Sequence, residues 1–330
     1  MNRNQWYIVQ RVGLSVVSLV AVLTILFLMF RLLPGDPATT LASPRFSEAD
    51  RQALLEQHGL TEPLHVQYVL YWQNLLQGDL GLSIQHNTAV LPLLLDRTLN
   101  TLAITFPAVL LAFTFGPIFG ANFAWRRNES LDVYGTGAVL LMYAAPIFWT
   151  GMLALMVFSF YFGWLPTGGM YPADYVEERL TDRFFSTDFV RHAILPIVIF
   201  FLWRLSQPTL IVRNTMIDVM NADFITLKKA EGIPDPTIKY RHGLRNSILP
   251  VLHYSALALG YAFGGSIILE TVFSWPGLGL AMWNAVLASD YPMAMGAFLM
   301  ISTIIIILNL VVDVLSIYID PRVAEGEMEV

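Results

Sequence analysis

The chain of 330 residues contains no cysteine, which excludes disulfide staples and cysteine-ligated zinc or iron–sulfur centres. Charge is scarce. Only 13% of residues are Asp, Glu, Lys or Arg while 55% are hydrophobic, a balance too apolar for an ordinary water-soluble fold. No G-x-x-x-x-G-K-[ST] loop occurs, so a Walker-type phosphate cradle is missing, and H-E-x-x-H and G-x-S-x-G are absent as well. The six histidines are scattered, and a lone one such as His253 reads as structural. With no nucleophile, base or ligand set in view, an enzyme has nothing to stand on. The formal net charge of −6 provides no basic surface for nucleic acid. No internal repeat is visible, which weighs against an inverted-repeat carrier.

What the chain does have is long intervals without charge. They lie between Arg11 and Arg31, Arg97 and Arg126, Asp132 and Asp174, His192 and Arg204, Arg245 and Glu270, and Asp290 and Asp313. All but the fourth supply the roughly 20 apolar residues of a spanning helix, and the fourth does so once Arg204 is accepted inside it. The expectation is an all-α integral membrane protein of six transmembrane helices, with a helical extracytoplasmic insertion after the first. Its parts are an N-terminal end and first span (1–33), an outer segment (34–97), a five-helix domain (98–320) holding a cytoplasmic loop (214–248), and a tail (321–330). The first apolar run is too long for a signal-peptide core and is read as a retained span. Lys and Arg beside the spans favour one side, through Arg126, Arg127, Arg213, Lys228, Lys229, Lys239, Arg241 and Arg245; that side is expected to be cytoplasmic, with both termini on it.

In the outer segment, Pro34-Gly35-Asp36-Pro37 ends the first span. Ser47 with Asp50 resembles a capping box for a helix closing at Gly59, Pro63 opens another with Leu64, Tyr68, Tyr71 and Leu75 on one face, and Gly78-Asp79-Leu80-Gly81 forms a turn. Span two is expected over residues 99–125, span three over 133–164 with Pro146 inside, span four over 192–212 and span five over 249–273. Prolines within spans free backbone carbonyls and hint at a pathway. Arg204, interior by this count, must snorkel, pair or face an aqueous cavity. Gly264 and Gly265 permit close helix packing. Glu270 and Asp313 are carboxylates in or near spans, read as helix-pairing groups or, alternatively, as the proton sites of an ion-coupled secondary transporter. Pro146, Arg204, Gly264, Gly265 and Glu270 are the candidate path residues.

The stretch 221–250 is the most organised polar segment. Asp223 is placed as the N-cap of a short helix with Phe224, Leu227 and Ala230 on one face, closed by Gly232 before Ile233; a second helix starts at Asp235 with Pro236 at its first position. A compact helical loop between spans, on a chain with no energy source of its own, suits being grasped by a soluble partner.

These residues also carry a resemblance. Asp223-Phe224-Ile225 through Ala230-Glu231-Gly232-Ile233, then Arg241-His242-Gly243-Leu244-Arg245-Asn246 and Pro250, resemble the cytoplasmic "EAA" loop of permease subunits in the dipeptide/oligopeptide/nickel class of ABC importers. Leu33-Pro34-Gly35-Asp36-Pro37, Gly163-Trp164-Leu165-Pro166, Glu270-Thr271-Val272-Phe273-Ser274-Trp275-Pro276-Gly277-Leu278-Gly279 and Asp320-Pro321-Arg322 are similar to that family too, and the long outer segment is similar to its B-type subunit. Thr226 replaces the Glu that names the loop, and Ala144 stands where a Ser commonly precedes the span-three proline. The resemblance implies a prokaryotic cell-membrane permease subunit for peptides or similar solutes. It implies a homologous second permease, two ATPase subunits that bind ATP and Mg, an extracytoplasmic solute-binding protein, surrounding lipid, and no cofactor in this chain. It further implies that Asp223, Phe224, Leu227, Ala230, Gly232, Ile233, Arg241, His242, Arg245 and Asn246 couple the chain to an ATPase.

Overall fold

The computed structural model describes residues 3–32, 62–175 and 182–319. The turn expected at 34–37, the helix expected at 47–59 and the tail 321–330 lie outside the described residues. Among those described the architecture is helical, with a single isolated bridge between Leu82 and Ala89. In chain order the helices are α1 (Arg3–Leu32), α2 (Leu64–Leu76), α3 (Val90–Trp125), α4 (Ser130–Ala144) and α5 (Ile147–Ala154, continued by a π-helical Leu155–Tyr161). There follow α6 (Asp182–Phe185), α7 (Thr187–Met220), α8 (Asp223–Ala230), α9 (Asp235–Thr237, continued by π-helical Ile238–Leu244), α10 (Arg245–Ser247), α11 (Leu249–Val272), α12 (Leu278–Leu287) and α13 (Tyr291–Ile319).

Among the described residues, four helices are long and apolar enough to cross a membrane: Gln5–Leu32, Val90–Trp125, Thr187–Met220 and Tyr291–Val314. The pair α4 and α5 makes a fifth if its bend is admitted within one span. That bend corrects the expectation of one continuous third span over 133–164. The two halves meet at 100° across Ala145 and Pro146. Pro146 lacks an N–H and disfavours helical backbone in the residue before it, and Ala145 accordingly adopts an extended conformation (φ −70°, ψ 128°). Span four is longer than the expected 192–212. Ser186 caps it, accepting a hydrogen bond from the Phe189 amide at 3.1 Å, and the helix runs unbroken through Pro196 and Pro208.

The bundle is built on α3 and α7, which make the most extensive helix pair. Small residues let them approach. A methyl group at Gly116 would stand 2.7 Å from the Pro208 ring, and one at Gly120 would overlap the Thr209 carbonyl, so α3 is hollowed where α7 carries its proline bulge. At one end of this pair Ile104, Phe189, Phe200, Phe273 and Trp275 form an aromatic core, and at the other Ala121, Val212, Met216 and Val251 pack together. Helix α1 lies along α13, and α2 packs against α1 through Tyr68, Tyr71 and Leu75, three of the residues expected on one face. The Tyr68 and Thr24 hydroxyls are 2.7 Å apart, while the Tyr68 and Tyr71 rings sit 5.2 and 5.6 Å from that of Phe27. Leu64 of the same stripe remains exposed.

Candidate coupling loop and the buried ties of the bundle

Helix α8 forms because its charges match its dipole, Asp223 in the first turn and Lys228 and Lys229 in the last. Asp223 is the first helical residue rather than the cap; extended Ala222 occupies the cap position, one place earlier than expected. The second helix is likewise shifted, with Pro234 capping and Asp235 already helical. Ile225 is fully buried and anchors α8 to the bundle. The opposite face is apolar and open: Phe224 is 41% and Leu227 57% exposed, and Ala230 is exposed too. Gly232 closes the helix at φ +75°, where its amide donates to Lys229 O at 3.0 Å and the Ile233 amide to Lys228 O at 3.2 Å. No atom lies within 4 Å of where a Gly232 side chain would begin, so its backbone conformation alone demands glycine.

Beyond the bend, the π-helical turn keeps Ile238 and Gly243 buried while Arg241 stays exposed; Arg245 and Asn246 are exposed as well. His242 is half-buried, and its carbonyl accepts the Asn246 side-chain amide at 2.6 Å. Lys239 Nζ donates to Asn122 Oδ1 at 2.9 Å and ties the segment to α3. The Arg213 guanidinium grips Asp132 through two bonds of 2.5 and 2.8 Å, joining α7 to the start of α4. Asp132 is almost fully buried, and besides this partner it accepts the Asn128 amide at 3.0 Å and the Thr136 hydroxyl at 3.2 Å. Of the ten expected loop residues, Asp223, Phe224, Leu227, Ala230, Gly232, Arg241, Arg245 and Asn246 are exposed, and Ile233 and His242 are half-buried.

Glu270 sits at the other end of the bundle and is fully buried. Its carboxylate accepts the Thr101 hydroxyl at 2.7 Å and the Leu280 amide at 2.8 Å, while the Leu278 amide donates to the same Thr101 oxygen at 2.8 Å. Gly277 lies so close that a methyl group there would overlap the carboxylate. Alongside, Trp275 Nε1 donates to Asn100 O at 2.8 Å, and the Pro276 carbonyl accepts from Asn100 at 2.9 Å and Arg97 at 3.2 Å. Arg183 completes the girdle, bonding Asn100 Oδ1 at 2.9 Å and Asp96 at 2.5 Å. Asp290 caps α13 toward Met293 and accepts Ser83 Oγ at 2.5 Å. Glu270 is therefore a tie between α11, α12 and α3.

Asp313 lies 3.5 Å from Arg11, pairing α13 with α1. Arg204 is buried within α7, with Phe200 and Trp203 beneath its guanidinium, and Pro146 marks the bend between α4 and α5. Gly264 and Gly265 belong to α11, but their surroundings lie outside the described residues. Sequence reading missed Thr101, Asn100 and the Asp132–Arg213 pair, and read Asp290 only as part of the family-like motif Asp290-Tyr291-Pro292. The first two look like ordinary residues of a span, and their partners, Glu270, Trp275, Pro276 and Arg183, lie far away in the sequence.

The family model for the binding-protein-dependent transport system inner membrane component matches residues 116–325, and that for the N-terminal part of such membrane components matches residues 5–105. The chain is 34% identical to the oligopeptide transport system permease protein AppB of Bacillus subtilis over 96% of this chain and 98% of the relative. With the same coverages it is 33% identical to the di/tripeptide transport system permease protein DppB of Pseudomonas aeruginosa and 35% identical to the glutathione transport system permease protein GsiC of Salmonella typhi.

Proposed function

The chain belongs to the family of binding-protein-dependent transport inner-membrane components, a multi-pass permease subunit of an ATP-driven importer, and from that premise we propose how it works and what it carries. The spans are six: α1, α3, the α4–α5 pair, α7, α11 and α13, with both termini in the cytoplasm, the side richer in Lys and Arg. Helix α8 docks into a groove on an ATPase subunit through Phe224, Leu227 and Ala230, Gly232 turns the backbone away, and Arg241 and Arg245 stand ready for carboxylates on the partner or the membrane surface. Two ATPases supply ATP and Mg, a second homologous permease completes the path, and no cofactor belongs to this chain. ATP-driven closure moves the helices as rigid bodies, exposing the path to each side in turn. The outer segments 34–97 and 165–191 receive a solute-binding protein. The solute is a peptide or a similar small molecule, as the names of the relatives suggest.

One observation carries this reading. A helix of eight residues buries one apolar side chain and leaves two large ones open on its far face, at a loop rich in basic residues. An exposed apolar patch bordered by charge is the mark of a protein-binding surface. The test is Gly232→Val. A β-branched residue cannot hold φ +75°, so the variant should insert at normal levels yet lose uptake and binding-protein-stimulated ATP hydrolysis; normal uptake would remove this bend from the coupling mechanism. Proton-coupled transport through Glu270 and Asp313 is not favoured, because each carboxylate already has a structural partner.

A further inference from the structure

Arg204 stands at the middle of the 34-residue α7. From the Asp132–Arg213 pair, nine residues of α7 lead to Arg204 and eleven residues of α4 lead to Tyr143, about 14 and 17 Å at the α-helical rise. Both therefore lie roughly half the hydrocarbon thickness from that pair, near the bilayer midplane. There Arg204 is 8% exposed, its guanidinium stacked 5.2 Å from the Phe200 ring centre and 4.8 Å from that of Trp203. It hydrogen-bonds Tyr254 of α11, and Tyr143 of α4 lies near enough to act on its charge. Its Nε is buried and donates to nothing, and no carboxylate among the described residues pairs with it.

A cation at this depth is costly unless something anionic meets it. Aromatic faces and a tyrosine hydroxyl stabilise a guanidinium without neutralising it. The chain breaks beside this point: α4 ends at Ala144, one residue after Tyr143, and α5 begins at Ile147 after a 100° turn, with both halves packed on α7. The first amides of α5 have no intrahelical acceptor, and the partial positive end of a helix thus opens near the same level. Interrupted helices at the midplane are where membrane transporters place solutes. We infer that Arg204, with Tyr254 and the α4–α5 break, forms a transient site for the carboxylate of a peptide in transit. This inference rests on the permease reading and deepens it. A guanidinium fork matches a carboxylate in shape and charge, and the aromatic floor fixes its plane.

The experiment uses the full transporter, with both permeases, the ATPases and the binding protein, in proteoliposomes loaded with ATP. The probe is radiolabelled dialanine. Arg204→Gln should lower Vmax and the ratio of dialanine imported to ATP hydrolysed by about tenfold, the loss of one charge-assisted hydrogen bond. KM, set by capture on the binding protein, should not move, and Arg204→Lys should recover part of the ratio. Three results would overturn the site: an unchanged ratio in the Gln variant, a fall in uptake matched by an equal fall in ATP hydrolysis, which marks a structural role in α7, or loss of the second permease on co-purification, which marks pairing with that subunit's carboxylate. Failure of the wild-type complex to import dialanine would instead sink the peptide-permease reading itself.

Discussion

The two ends of the bundle are built by opposite rules. The Glu270 carboxylate finds its partners within the chain, and the segment from Trp275 to Gly279 is fastened to α3 by hydrogen bonds to Asn100, Thr101 and Arg97. Around α8 a single buried side chain, Ile225, holds a short helix whose large apolar residues face away from the protein. The first arrangement spends its side chains on internal order; the second leaves its large apolar side chains open. A region that stabilises the fold and a region that binds a partner can thus be told apart by where their side chains point, before any measurement of transport.

That contrast makes graded predictions for stability in detergent. Glu270→Ala strands the Thr101 hydroxyl and the Leu280 amide in a buried site and should cost about 3 kcal/mol, read as a drop of several degrees in the thermal midpoint, with Glu270→Gln costing less. A Glu270→Ala protein as stable as wild type would make the Glu270 tie dispensable and reopen a transport role for that carboxylate. Next is Asp132→Ala, which leaves Arg213 without its counter-charge. Because Arg213 is partly exposed, the cost should be about 2 kcal/mol, below that of breaking a fully buried pair. Gly232→Ala should cost about 1 kcal/mol, because alanine resists a left-handed backbone even where space is open, and Gly232→Asn should cost less. Comparing the two by thermal unfolding separates backbone strain from crowding.

Much of the α8 end was legible in the sequence. Opposed charges along eight residues, a glycine after the last turn and a proline beyond it are local signals, and they put α8 within one residue of its observed start. The charge-free intervals likewise located the long helices, because the bilayer sets their length. The break at Pro146 was harder to read. Pro107, Pro117, Pro196 and Pro208 all sit inside unbroken helices, so the residue type alone does not decide; the Pro208 bulge, for one, is received by Gly116 of a neighbouring helix. The long-range ties were illegible for another reason. Thr101 meets Glu270 across 169 residues and Asp132 meets Arg213 across 81, and no local pattern announces a partner so distant.

The central claim is that the open face of α8 exists for an ATPase. Leu227→Asp tests it most directly, because Leu227 is 57% exposed and should contribute within about 0.5 kcal/mol to the stability of the isolated chain. The measurement is the ATPase content of the complex purified through a tag on this chain, beside its thermal midpoint. The account predicts an unchanged midpoint and loss of the ATPase subunits; a Leu227→Asp complex that keeps its ATPases at wild-type stoichiometry would contradict it.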